Sequence, residues 1–205
     1  MAKYVIGAIG LVFLILVGYS LTGPADKKVV EQPIVEPAPF VAATSTYASS
    51  TLGFSTIYPN TYRVDENYAN DAFGPKKLIH GIKFLIPESM ATGTNLLASG
   101  TGISLEQLPR AQKCTGDIYL KANVKATAQI INGVNYSVAS STELAGNVHD
   151  ETVYALVDSK PCTAFRYSIH STNIAAAAST SVREFDRAKL LSDFDSIRDA
   201  SRFVQ

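Results

Sequence analysis

Polar and apolar positions follow three different rhythms along this chain. The first is no rhythm at all: residues 4–21, YVIGAIGLVFLILVGYSL, hold no charge. As a helix this run extends ~27 Å at ~1.5 Å per residue, close to the hydrocarbon thickness of a bilayer. It predicts a single transmembrane helix kept as a signal anchor. A cleaved signal peptide competes, with Gly18-x-Ser20 as a cleavage site, but its apolar run usually spans only about 7–15 residues. No cysteine follows the run, which argues against a lipoprotein anchor. Lys3 favours a cytoplasmic N-terminus, and Lys27 and Lys28 weaken that bias.

Residues 22–50 break every period. Pro24, Pro33, Pro37 and Pro39 forbid a long helix, and no strand alternation is sustained. The tract reads as a semi-extended Pro-rich linker, reaching ~3.1 Å per residue in polyproline II form.

From Leu52 the period becomes two. Leu52, Phe54, Thr56 and Tyr58 alternate with Gly53, Ser55 and Ile57, and Pro59-Asn60 supplies turn chemistry. A half-buried strand therefore opens a domain over 51–205, with Tyr62 and Val64 as a short continuation. LIHGIKFLIP, 78–87, puts Ile82, Phe84 and Ile86 on one face. In 95–109, Ile103, Leu105 and Gln107 alternate after a bend at Ser99-Gly100-Thr101-Gly102. Residues 110–126 are ambiguous; a short helix there puts Cys114 and Ile118 on one side. Asn132-Gly133 lies between apolar positions and predicts a hairpin, because both central residues of a type I′ turn need positive φ. Residues 151–158 and 163–171 read as a further antiparallel pair.

The tail switches to a period near 3.6. Phe185, Leu190, Leu191, Phe194 and Ile197 share a helical face, with Ser181 as its N-cap and a closing strand over 201–204. Five or six antiparallel strands and a final helix define an α+β domain with a mostly antiparallel sheet. Leu52, Phe54, Ile82, Phe84, Ile103, Val153, Phe165, Tyr167, Leu190 and Phe194 are expected in one core.

LGFSTIYPNTYRV, from Leu52, resembles the opening of PsbP-like domains, with Tyr62 where Trp is common. FDRAKLLSDFDSIRDASRFV is similar to their closing helix and strand, with Arg202-Phe203 in the final basic–aromatic step. The resemblance implies an α/β/α sandwich with flanking helices. The layout of anchor, linker and domain also resembles membrane-anchored bacterial envelope proteins. No functional residue of the family matches a position here.

Charge narrows the functional classes. Lys and Arg number 18, as do Asp and Glu, so no global field attracts nucleic acid. Cys114 and Cys162 are the whole thiol inventory and form no Cys-x-x-Cys. That argues against thioredoxin chemistry and an all-cysteine zinc site. Their pairing as a disulfide would put the domain outside the cytoplasm.

Candidate chemistry is sparse. His149, Asp150 and Glu151, with His170 on the next strand, have the donor types of a metal site. Neighbours in a strand point to opposite faces, so they do not chelate together, and no metal or cofactor is expected. The abundant serines include no Gly-x-Ser-x-Gly elbow. ASGTG, 98–102, lacks the Lys-Ser/Thr of a phosphate-binding loop. Asp186, Asp193, Asp195 and Asp199 fit the solvated side of the last helix. His80 and His170 sit in apolar strand contexts, which suits structural histidines. Seven tyrosines within the domain fit either the core or a glycan- or peptide-binding face. No catalytic residue is assigned.

The expectation is a single-pass cell-membrane protein whose outward-facing domain binds or scaffolds within an envelope assembly, with a protein or glycan partner. An extracytoplasmic hydrolase is the alternative, and clustering of His149, Glu151 and His170 around a pocket would favour it. A pilin-like subunit is disfavoured by the Pro-rich linker.

Overall fold

The computed structural model describes residues 43–174 and 182–203. The expected membrane span at 4–21, most of the 22–50 linker and Ser181 lie outside the described residues.

The first strand precedes the expected start of the domain. β1 (Thr44–Ser49) falls within the tract read as linker and pairs antiparallel with β2 (Phe54–Pro59), Thr44 opposite Pro59 and Ser49 opposite Phe54. Its sequence, TSTYAS, is small and polar except for Tyr47, whose ring meets Phe84 edge-on at 5.7 Å. Packing at one aromatic position, rather than an alternating apolar pattern, recruits the strand.

Seven of the next eight strands make one ordered sheet. They are β3 (Arg63–Asp65), β4 (Ala69–Asn70), β5 (Ile79–Leu85), β6 (Gly102–Leu108), β7 (Thr127–Ile131), β8 (Val134–Ala145), β9 (Asn147–Leu156) and β10 (Cys162–Thr172). The order is β3-β5-β6-β10-β9-β8-β7, and β4 also pairs with β5. β10 lies centrally, with Phe165 opposite Leu105 of β6 and Tyr154 of β9. The Asn132-Gly133 turn joins β7 to β8 with φ of 50° and 79°, as a type I′ hairpin requires.

Among the described residues, two α-helices, α1 (Glu88–Ala91) and α2 (Arg187–Ala200), complete the layout with a terminal strand, β11 (Arg202–Phe203). Asp186 caps α2 by accepting from the Lys189 backbone N–H at 2.9 Å, so the helix begins later than the expected Ser181 cap. β11 returns beside β2, giving a small sheet in the order β1-β2-β11. Thr56 of β2 donates to the Ile197 carbonyl at 2.7 Å and ties that sheet to the end of α2.

Alternation divides the large sheet's side chains between two cores. On the first face, Ile82, Phe84, Ile103, Leu105, Phe165 and Tyr167 pack with Phe54 and with Leu190, Phe194 and Ile197 of α2. On the second face, Val153, Ala155, Cys162 and Ala164 pack under Tyr119 and Leu120. Val153 therefore does not join the single core expected, and Leu52 is only half-buried.

The fold is α+β and mostly antiparallel, but its faces are covered unequally. Residues of α1 and of α2 pack on the first core. The second face is closed by the segment after β6, with a 3₁₀ turn at Gly116–Tyr119 in place of the helix read over 110–126. Gly116 permits this, since a Cβ there would lie 2.8 Å from the Ala139 nitrogen and the Ser137 oxygen.

Candidate functional site

The histidine pair comes first. His149 and His170 face each other across β9 and β10, with rings stacked at 4.0 Å. The His170 Nδ1 lies 3.1 Å from the Ser99 carbonyl and its Nε2 3.1 Å from the Asn147 amide nitrogen. The partners assign the tautomer: Nδ1–H donates to Ser99, and Nε2 accepts from Asn147.

The acidic neighbours go elsewhere. Asp150 turns to the opposite face, accepting from Thr142 at 2.6 Å and Arg187 at 2.7 Å. Burial pushes its pKa up, but the Thr142 and Arg187 contacts outweigh this and hold it below the usual value. Glu151 reaches Arg166, Oε2 to Nη1 at 3.1 Å. Among the described residues no group of three or more metal-ligating side chains converges.

Asp195 and Asp199 are more than a solvated helix face. Asp195 pairs with Arg198 at 2.7 Å and accepts from the Tyr167 hydroxyl at 2.8 Å. Asp199 accepts from the Arg198 Nε at 2.8 Å, and that guanidinium lies 4.9 Å from the Tyr154 ring centre. Asp193 keeps the expected surface role, opposite Lys189 at 3.4 Å. The ASGTG stretch is a bend, with Gly100 at φ +88°, and its carbonyl accepts from Lys83 Nζ at 2.8 Å.

Lys83 lies beside a buried ion pair that alternation alone would have placed in solvent; the lysine ammonium sits 5.3 Å from the Tyr68 ring centre. Glu106 and Arg166 are fully buried on the second face. Glu106 also accepts from Ser104 at 2.9 Å and from the Tyr68 hydroxyl at 3.1 Å, while Arg166 donates to the Tyr119 carbonyl at 2.8 Å. Burial opposes the Arg166 charge, but Glu106 overrides it and raises the pKa. Burial pushes Lys83 down to about 8. Glu106 and Arg166 are paired across the sheet, and their bonds to Tyr68 and Tyr119 fix the covering segments to it.

The second anchor of that cover is covalent. A disulfide joins Cys114 to Cys162 at the start of β10, across a sequence separation of 48. The Tyr119 hydroxyl adds a hydrogen bond to the Cys162 carbonyl at 2.8 Å. The segment after β6 is therefore pinned at Cys114 and again at Tyr119.

This pinned segment forms one wall of an open groove of about 920 Å³. Leu78, Leu108, Pro109, Ala111 and Ile118 supply its apolar surface, and His80, Arg110 and Lys113 its basic groups. Leu108, Ala111 and Ile118 also pack on the second core, so the floor is continuous with it. A second cleft, about 580 Å³, lies between the β1–β2 turn and the β9–β10 turn, with Gln107, Asp158, Lys160 and Phe203 in its lining. There the Gln107 amide already donates to the Leu52 carbonyl at 3.1 Å. The apolar groove is the stronger binding candidate, because its surface is unusual for solvent exposure and is held on a rigid support. Sequence reading left this region as an ambiguous helix. The signal in it was LPRAQK, 108–113, an apolar and basic run placed just before a cysteine.

No protein-family model matches the chain, and no curated protein is significantly similar to it. Two solved structures resemble it at a TM-score of 0.43. One is a crystal structure from Bacteroides thetaiotaomicron VPI-5482, 13% identical over 78% of this chain and 48% of that one, so the chain spans about half its length. The other is the solution structure of cyanobacterial PsbP (CyanoP) from Synechocystis sp. PCC 6803, 11% identical over 84% of this chain and 99% of that one.

Proposed function

We propose that residues 43–203 are the binding domain of a single-pass membrane protein, sited outside the cytoplasm and engaged with a protein partner in an envelope assembly. The observation that carries binding is the groove between Leu78 and Ile118, apolar and backed by the second core. Contiguous apolar surface of this kind marks interaction sites on folded domains. The Cys114–Cys162 disulfide supports an oxidising compartment. The uncharged run at 4–21 supports an anchor. Kinship with PsbP-like domains belongs to the same reading, and its support is the opening and closing motifs. GFSTIYP supplies β2, and the terminal Arg202-Phe203 pairs beside it.

Two experiments test this reading. Protease added to intact cells should remove the domain and leave a short membrane fragment. A soluble mature chain starting near residue 21 would replace the anchor with a cleaved signal, and a protected domain would overturn the outward siting. A photo-crosslinking amino acid at Ala111 should capture a distinct envelope protein in living cells. Loss of that adduct on moving the crosslinker to exposed Glu143, on the β8–β9 hairpin, would assign capture to the groove. Equal capture at both positions would refute it.

A further inference from the structure

We infer that the groove takes an extended peptide segment whose apolar side chains are flanked by carboxylates; this rests on the reading of the groove as a binding site. The fully charged side chains that line the groove, Arg110 and Lys113, are both basic. The chain has 18 basic and 18 acidic residues. Yet over 108–125, Arg110, Lys113, Lys121 and Lys125 face a single carboxylate in sequence, Asp117. Lys76 and Lys77 directly precede the lining residue Leu78 in sequence. Arg110 and Lys113 are exposed at the groove, and neither has a carboxylate partner among the salt bridges of the described residues.

The apolar floor and the basic rim select different parts of the occupant. Leu78, Leu108, Pro109, Ala111 and Ile118 offer dispersion contact and desolvation to two or three aliphatic side chains. Arg110 and Lys113 offer charge-assisted hydrogen bonds to carboxylates at its ends. The open form of the groove suits a chain laid along it, as in other recognition of short linear segments. A bilayer surface would share the charge preference but engages protruding apolar residues, whereas Leu108, Ala111 and Ile118 of this floor are half-buried and packed on the second core. Because the disulfide and Tyr119 fix the wall, little ordering entropy opposes binding.

The test uses the full chain in phosphatidylcholine nanodiscs, whose headgroups carry no net charge. The probe is a fluorescein-labelled nonapeptide with a Val-Ile-Pro-Ile-Val centre and two glutamates at each end. Its counterpart carries lysines instead. Fluorescence anisotropy should show the acidic-ended peptide binding about tenfold tighter at low salt, the scale expected of two or more exposed ion pairs. In a chain carrying both Arg110→Glu and Lys113→Glu the preference should invert. Both positions are exposed, and far-UV circular dichroism checks that the fold is kept.

Equal affinity for the two peptides, binding of neither, or an unchanged preference in the double variant overturns the inference. So does loss of peptide binding when phosphatidylglycerol is added to nanodiscs of the unmodified chain but not of the variant, which would assign the basic rim to lipid. A specific adduct at Ala111 in cells combined with any of these outcomes leaves the groove as a binding site and removes only this choice of occupant.

Discussion

The Arg166 guanidinium grips the Glu106 carboxylate through two parallel hydrogen bonds, Nε to Oε1 at 2.8 Å and Nη2 to Oε2 at 2.9 Å, with neither side chain exposed. The two residues sit on adjacent strands but not opposite one another, since Arg166 faces Ser104 and Glu106 faces Ala164. The pair thus bridges the β6–β10 ladder diagonally. Breaking it leaves Glu106 with only the neutral Ser104 and Tyr68 donors, or Arg166 with only the partly exposed Glu151 as counter-charge, in a site closed to water. Arg166→Met should therefore cost about 3–5 kcal/mol of unfolding free energy, as should Glu106→Leu. The double replacement should cost less than the sum, because the fully buried charges leave together and only Glu151, which is partly exposed, loses its partner. Urea unfolding of the three variants measures the coupling, and simple additivity would contradict it.

Lys83 makes stability depend on pH in an alkaline window. Its pKa falls from 10.5 to about 8 on folding, chiefly through burial. Between those values the unfolded chain binds more protons than the folded one, so stability rises with pH. Below about 8 both states are protonated, and the cost of the buried ammonium is present in full. Relative to Lys83→Met, the unmodified protein should gain on the order of 2–3 kcal/mol from pH 8 to 10.5. Taking the difference between the two proteins removes the tyrosine ionisations common to both. Parallel curves in chemical denaturation would refute the shift.

Replacing Cys114 and Cys162 by Ala should lower stability by about 2–4 kcal/mol, because the bridge closes a long loop in the unfolded chain. The fold should survive, since Arg166 and Tyr119 still hold the cover. Thiol titration of the denatured, unreduced protein should find no reactive cysteine. Two reactive thiols per chain would remove both the bridge and the argument for an oxidising compartment.

Gly116→Ala should destabilise by about 1–3 kcal/mol through overpacking, as the new methyl meets the β8 backbone. Gly146→Ala offers a control: φ is +82°, and open space surrounds the position. Its cost should come from the backbone alone, about 1 kcal/mol. Thermal unfolding should rank Gly116→Ala as the more damaging. Hydrogen exchange should show its effect at Tyr119 and Leu120 rather than at the hairpin.

Much of the architecture was written in local patterns. Alternation located the central strands because Ile82, Phe84, Ile103, Leu105, Phe165 and Tyr167 all face one large apolar core. The Asn132-Gly133 turn was legible because its chemistry is local. The β8–β9 hairpin was not, since its outer residues around Leu144 extend into solvent and alternate between no core and no core. β1 was hidden for a related reason, as a single aromatic fixes it. The second face was the largest surprise. Lys83, Glu106 and Arg166 alternate with apolar core positions, and the irregular segment that returns over them turns a polar face into an interior. That same long-range event creates the groove, so its place could not be read from spacing, although its apolar and basic residues were visible in LPRAQK.

β1 carries a mechanical consequence. Among the described residues it is the edge of the small sheet, paired with β2 alone, and the chain enters it at Thr44 opposite Pro59. A tensile load arriving through the preceding residues is applied to that terminal pair. It peels the ladder one rung at a time from Thr44 towards Ser49, a weaker mode of resistance than shearing all rungs together. The central strand β10 lies behind two neighbours and a covalent crosslink, so it feels little of that load. Under traction the molecule yields first by paying out a short length of chain and unmasking Tyr47 and Phe84, while the eight-stranded sheet and the groove remain intact.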